Sequence, residues 1–243
     1  MSLPLISVPE YTVQLVSRKD PVRYRPYLVK EEKIFLMAKE SGDPKDIEAA
    51  VHQIITNCTF GVIEAAKLPS FDIELLFLQL RAKSVNSNVT VTYECQNPVE
   101  GGTVCGARVP VTVNLDAVTL VTPPEHSKVV KLDDKLTLAM RYPTGDMLEG
   151  VLQAGVEGIA AATGVLASCI ETIVEADGMV HETYATPHEE LVAFVESLPT
   201  SCLPSLYQFF ETMPALQYIT EFKCPKCGYT EPLTFHGLLD FFD

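Results

Sequence analysis

At 243 residues, 47% hydrophobic and 21% charged, the chain has an ordinary globular composition, long enough to bury one substantial core or two small ones and unlike a disordered segment. Its formal net charge of -14 works against binding a phosphate backbone, because the densest basic run (Arg18, Lys19, Arg23 and Arg25) is short and broken by Asp20. No run approaches the ~18 uninterrupted apolar residues of a membrane span, and the opening MSLPLISVPE lacks the basic stretch and apolar core of a signal peptide, so a soluble chain made in the cytosol is expected, with neither membrane nor nucleic acid as partner.

Taken in chain order, Tyr11 to about Tyr27 alternates apolar and polar residues and turns at Lys19-Asp20-Pro21, which predicts a short hairpin. Leu28 to Glu40 predicts a helix closed by Ser41-Gly42. Asp43 as N-cap and Pro44 at the first helical position open the next helix, whose stripe of Ile47, Ala50, Val51, Ile54 and Ile55 faces a core. A third helix is expected from Ser70 to about Lys83. After Asn86 the period becomes two: Val89, Val91 and Tyr93, then Val109, Val111, Val113 and Leu115, predict an antiparallel hairpin.

Val129–Lys131 and Leu136–Met140 flank Asp133-Asp134 as a second hairpin. Between Thr144 and about Leu166 a weakly helical pattern is interrupted by Gly and Ala. Cys169–Val174 and Met179–Thr183 are placed to pair across Asp177-Gly178. Thr186 as N-cap, Pro187 and Glu189 then announce a helix that buries Leu191, Phe194, Val195 and Leu198, and another is expected from Ser205 to Thr212. Tyr218–Phe222 and Tyr229–Leu233 read as strands.

Those last strands flank the sharpest signal in the chain, Cys224-Pro225-Lys226-Cys227-Gly228. Two residues between cysteines let both thiolates reach one metal from a tight turn, and Gly228 permits the backbone conformation that turn needs. Such a knuckle supplies half a tetrahedral site. Cys95 and Cys105-Gly106, also between strands, are the candidate other half; their longer spacing is accommodated if Asn97-Pro98 and Gly101-Gly102 loop the extra residues out. Seven cysteines in a reducing cytosol argue against a disulfide framework and for metal binding. The expected site is a structural Zn2+ held by Cys95, Cys105, Cys224 and Cys227, with Cys58, Cys169 and Cys202 as inert core thiols.

Competing chemistries are weaker. A redox CxxC wants a helix after the pair, which Gly228 and the following strand deny. His181-Glu182 and His188-Glu189-Glu190 are close in sequence and could form an acid/base or metal group, and His236 could replace a cysteine ligand. No HExxH, P-loop, GxSxG or dinucleotide fingerprint is present. Four thiolates leave no open position for water or substrate, so no enzymatic activity is expected.

Three blocks together resemble a known family. Tyr24-Arg25-Pro26-Tyr27-Leu28-Val29-Lys30-Glu31-Glu32-Lys33, followed by Met37-Ala38-Lys39-Glu40-Ser41-Gly42-Asp43, is similar to the N-terminal signature of the baseplate hub proteins of T-even-like contractile-tailed bacteriophages. Phe71-Asp72-Ile73-Glu74 with Leu78, Leu80, Arg81, Lys83, Ser84 and Val85 resembles a second family segment. The third is Phe209-Phe210-Glu211-Thr212-Met213-Pro214 with Cys224-Pro225-Lys226-Cys227-Gly228 and Phe241-Phe242. The resemblance implies a resident or assembly subunit of the hub, with other hub and tail proteins as partners. It implies residence in the host cytoplasm during assembly and then in the virion tail baseplate, and no reaction.

The expected fold is α+β: a zinc-ribbon-like pair of β hairpins (87–117 plus 218–243), an N-terminal hairpin and helical region (1–86), and an inserted mixed α/β region (118–217). The apolar ending Leu238, Leu239, Phe241 and Phe242 suits either a tail on its own core or an interface. Two rivals remain. One is a zinc-ribbon nucleic-acid adaptor, although Lys223 and Lys226 are offset by Glu221, Glu231 and Glu94. The other is a cell-wall-degrading hub enzyme, which would need paired carboxylates.

Overall fold

Antiparallel pairing accounts for every sheet in the computed structural model, which describes residues 7–99, 102–153, 155 and 158–237. Among these residues are seven α-helices and eleven strands in four small sheets, a mixed α and β architecture. The apolar ending Leu238 to Phe242 and Gly101 of the long knuckle lie outside the described residues. The chain forms two compact units: one of Met1–Ala65, Phe71–Val121 and Ala215–Asp243, the other of Ala66–Ser70 and Thr122–Pro214.

In the first unit, β1 (Tyr11–Val13) pairs with β2 (Val22–Tyr24) as the alternation predicts. Helix α1 (Val29–Ser41) begins where the Glu31 carboxylate accepts the Leu28 N–H at 2.9 Å and ends at Gly42, whose φ of 70° is the left-handed closure a glycine supplies cheaply. Helix α2 (Pro44–Cys58) is capped as expected, the Asp43 carboxylate accepting the Lys45 N–H, and it buries Ala50, Val51, Ile54 and Ile55. Helix α3 (Ser70–Ser84) is apolar on several sides, and Phe71, Leu75, Leu76, Phe77, Leu78 and Leu80 are all buried, so it runs through the core rather than over it. Buried Asp72 in its first turn accepts the N–H groups of Val16 and Ser17 at 3.0 and 2.9 Å, tying the β1–β2 loop to the helix start.

The rest of this unit is two strand systems. β3 (Asn88–Glu94) and β4 (Arg108–Asn114) form the expected hairpin. β10 (Ala215–Lys223) pairs along its length with β11 (Thr230–His236) and, at its start, with β5 (Thr119–Val121). The sequence gives no sign of β5: three residues are too few to show a period, and the pairing with Ala215–Gln217 comes from the other end of a long excursion. The chain therefore leaves this unit through β5 and returns through the adjacent β10.

In the second unit, β6 (Val129–Lys131), β7 (Leu136–Met140), β8 (Ile170–Glu175) and β9 (Val180–Glu182) make one four-stranded meander. Helices α4 (Gly145–Gln153) and α5 (Gly158–Ser168) occupy the Gly/Ala-rich stretch. They pack closely at Gly164, where an added Cβ would lie 3.2 Å from a Val151 methyl. Helix α6 (His188–Ser197) starts with Pro187 in the cap position and no side-chain cap, so the expected Thr186 cap is corrected by one residue. Helix α7 (Leu203–Glu211) begins two residues before the expected Ser205, with Pro204 in its first turn.

Candidate metal centre

The tips of the two hairpins of the first unit carry the four cysteines. Cys95 follows β3 and Cys105 precedes β4; Cys224 follows β10 and Cys227 precedes β11. The hairpins approach each other through Tyr93 and Phe222, whose rings meet edge-on at 4.8 Å, and through the Tyr93 hydroxyl, which donates to a Glu231 carboxylate oxygen at 3.1 Å.

Both tips share one backbone pattern. In the short knuckle the Cys224 N–H donates to the Tyr229 carbonyl and the Gly228 N–H donates back to the Cys224 carbonyl. In the long one the Cys95 N–H donates to the Ala107 carbonyl and the Gly106 N–H to the Cys95 carbonyl. Gly106 and Gly228 have φ of 61° and 75°, the left-handed conformation in which a side chain would be strained. The two knuckles are therefore the same turn, with residues 98–104 inserted into the first. The insertion is pinched off at its base, where the Cys105 N–H reaches the Asn97 carbonyl at 2.9 Å and Pro98 bridges Val104.

This geometry brings all four sulfurs within 4.8 Å of one another, the only such group of potential ligands among the described residues. The Cys95–Cys227 and Cys105–Cys224 sulfurs are each 3.8 Å apart. Four sulfurs placed about 2.3 Å from a central ion at tetrahedral corners would be separated by about 3.8 Å, so the cage has the dimensions of a four-thiolate site. Cys95, Cys105 and Cys224 are buried and Cys227 is partly exposed. The Asn97 side-chain amide donates to the Cys227 sulfur at 3.7 Å, and the Lys226 ammonium caps the Cys105 carbonyl at 2.9 Å.

The thiols are unequal. The Cys227 N–H, against burial and helped by the Lys226 N–H, draws Cys224 down to about 7. The Asn97 N–H also favours a thiolate at Cys95, but burial and the neighbouring sulfurs outweigh it and push that thiol up to about 12; the Ala107 N–H loses the same contest at Cys105. Crowded sulfurs resist ionising together unless a cation sits among them, so metal binding and proton release would be linked. A hard dication prefers oxygen, whereas this donor set suits a soft or borderline ion.

The other sequence candidates do not join the cage. His236 pairs with Gln217 at the far end of the β10–β11 ladder. His181 contacts the Glu175 carboxylate at 2.7 Å on an exposed hairpin, and His188 lies 3.4 Å from the Ser168 hydroxyl. Cys58, Cys169 and Cys202 are buried apart from the cage, and burial pushes Cys58 up to about 11 and Cys169 to about 12. Inert thiols behave in this way. Sequence reasoning missed the Asn97 and Lys226 contacts, which depend on how the tips face each other.

Fold and site together define a mixed α and β protein with a four-cysteine cluster that could hold a metal ion. The model of the T4 bacteriophage base plate protein family matches residues 8–243, nearly the whole chain, and the chain belongs to that family. Comparison with curated proteins and with solved structures gave no match.

Proposed function

We propose that the chain is a structural or assembly subunit of the baseplate hub, non-enzymatic, working through contacts with neighbouring hub and tail proteins and stabilised by one Zn2+ at Cys95, Cys105, Cys224 and Cys227. The observation that carries the reading is the family match, which runs from residue 8 to residue 243 and takes in both knuckles. A saturated four-sulfur site has no position for substrate, which favours structure over catalysis. Within this reading, 87–117 and 218–243 form a discontinuous zinc-ribbon-like module, 1–86 precedes it as a helical region, and 118–217 is its insertion. Structural zinc sites of this kind supply an apparent ~10–16 kcal/mol, as much as a whole domain's stability.

The test is complementation of a phage lacking this chain with a Cys224→Ser variant, together with mass spectrometry of purified virions. Lost or incomplete tails, with the unaltered chain present in the particle or needed for its assembly, are expected. A Cys224→Ser phage that assembles infectious particles normally overturns the structural role of the ion.

A further inference from the structure

Charge is distributed very unevenly along this chain. From Tyr142 to Phe222 there is no lysine or arginine, against twelve carboxylates. Within that stretch, in the second unit, α4, α5 and α6 line an open groove of about 710 Å³. Its apolar lining includes the buried Val151 and Gly164 together with Ala160, Val192 and Ala193. Three carboxylates, Asp146, Glu189 and Glu196, share that lining, and all three residues are exposed.

The apolar character extends past the groove. Helix α5 carries no charge at all, its Ile159 is 89% exposed, and Leu148 of α4 is 49% exposed. The cores of protein interfaces are depleted of charged residues, and the charge-free α5 fits that composition. A groove of this volume between helices, apolar within and flanked by carboxylates, suits a ligand that is apolar on one side and cationic beside it. An anionic membrane or a nucleic acid would be repelled by the same carboxylates. Small side chains at Ala160 and Ala193 leave room for large apolar side chains entering from outside.

We propose that this groove receives an amphipathic helix of a neighbouring baseplate protein, with an apolar stripe at i, i+3, i+4 and i+7 spacing and lysines or arginines alongside it. The proposal rests on the reading of the chain as a subunit that works through protein contacts, and it names the surface and the chemistry of one such partner. The apolar stripe fills the groove between α5 and α6, and its flanking cations meet Glu189 and Glu196 on one side and Asp146 on the other. Long-range attraction between the acidic second unit and a basic partner helix raises the rate of encounter, and burial of the stripe sets the lifetime.

The experiment places the photocrosslinking amino acid p-benzoylphenylalanine at Ala160 or at Ala193 of the full chain in infected cells, with the same group at exposed Lys135 as control. Each variant is first checked for the metal content and melting temperature of the unaltered chain. The crosslinked partner segment is then identified by mass spectrometry and synthesised as a peptide. A basic amphipathic helical segment captured from both groove positions is expected, and Glu189→Lys with Glu196→Lys should weaken its binding about tenfold or more at low salt, an effect that shrinks as salt rises. The proposal is overturned by capture no greater than at Lys135, or by an acidic segment, a second copy of this chain, a lipid or a small molecule in the groove. A binding change under about twofold on reversing the two charges overturns it equally. Any of these results in a variant that keeps its metal and still builds tails removes the groove and leaves the hub reading standing, whereas metal-free wild-type chain would remove the zinc reading alone.

Discussion

Two kinds of buried polar residue behave differently here. The cysteine cage concentrates four like groups that cannot all ionise without a cation, whereas Glu31 is an acid matched to a base. Burial by itself would push the Glu31 carboxyl up, but the Arg25 guanidinium at 3.0 Å, the Leu28 N–H and the Lys30 ammonium hold it below the usual range. Because its folded value is depressed, the stability it contributes is present above the ordinary glutamate value of about 4.5 and is lost as pH falls through the folded value. Urea unfolding from about pH 6 down to about pH 3 should therefore show this contribution held to about pH 5 and lost below it, a loss that Glu31→Gln flattens, the substitution costing about 2 kcal/mol at neutral pH. A variant as stable as the parent at neutral pH would contradict this role. The Glu31 carboxylate in the first turn of α1 was visible in the sequence only as one of two adjacent acids; that it folds back onto Leu28 and Arg25 depends on tertiary geometry.

At the scale of elements, what the sequence revealed follows how local each cause is. The hairpins at β6–β7 and β8–β9 were legible because their strands flank a turn dipeptide within one window, and β3–β4 because a period of two runs on both sides of the long knuckle. Helix α2 was legible because Asp43 and Pro44 mark its start. Strand β5 was not, since its partner is Ala215–Gln217, and Thr186 was misjudged because Pro187 itself takes the cap position. The knuckles fall between these cases: CxxCG announces the short one, and the long one was inferred only by matching a Cys-Gly ending. Since residues 98–104 leave the shared turn at a pinched base, deleting Pro98 to Val104 should yield a chain with ordinary CxxC spacing and unchanged metal content, read by elemental analysis. Loss of the metal on that deletion would mean that the insertion shapes the cage.

For the whole molecule, the central feature is that two turns separated by more than a hundred residues converge on one four-sulfur cage, with 122–214 of the second unit lying between them in sequence. Joining distant segments through an ion restricts the unfolded chain as well as stabilising the folded one, and the gain grows slowly with the length spanned. The convergence was inferable from residue types, since cysteine pairs in a chain expected to stay reduced call for a metal, but the cage dimensions and the hydrogen bonds from Asn97 and Lys226 were not. The most direct measurement is elemental analysis of purified, tag-free full-length chain, paired with its thermal unfolding before and after a strong chelator. One zinc per chain, four thiols protected from alkylation until the chelator is added, and a large fall in melting temperature on its removal are expected. Metal-free chain with four reactive thiols and an unchanged melting temperature would contradict the account at its base.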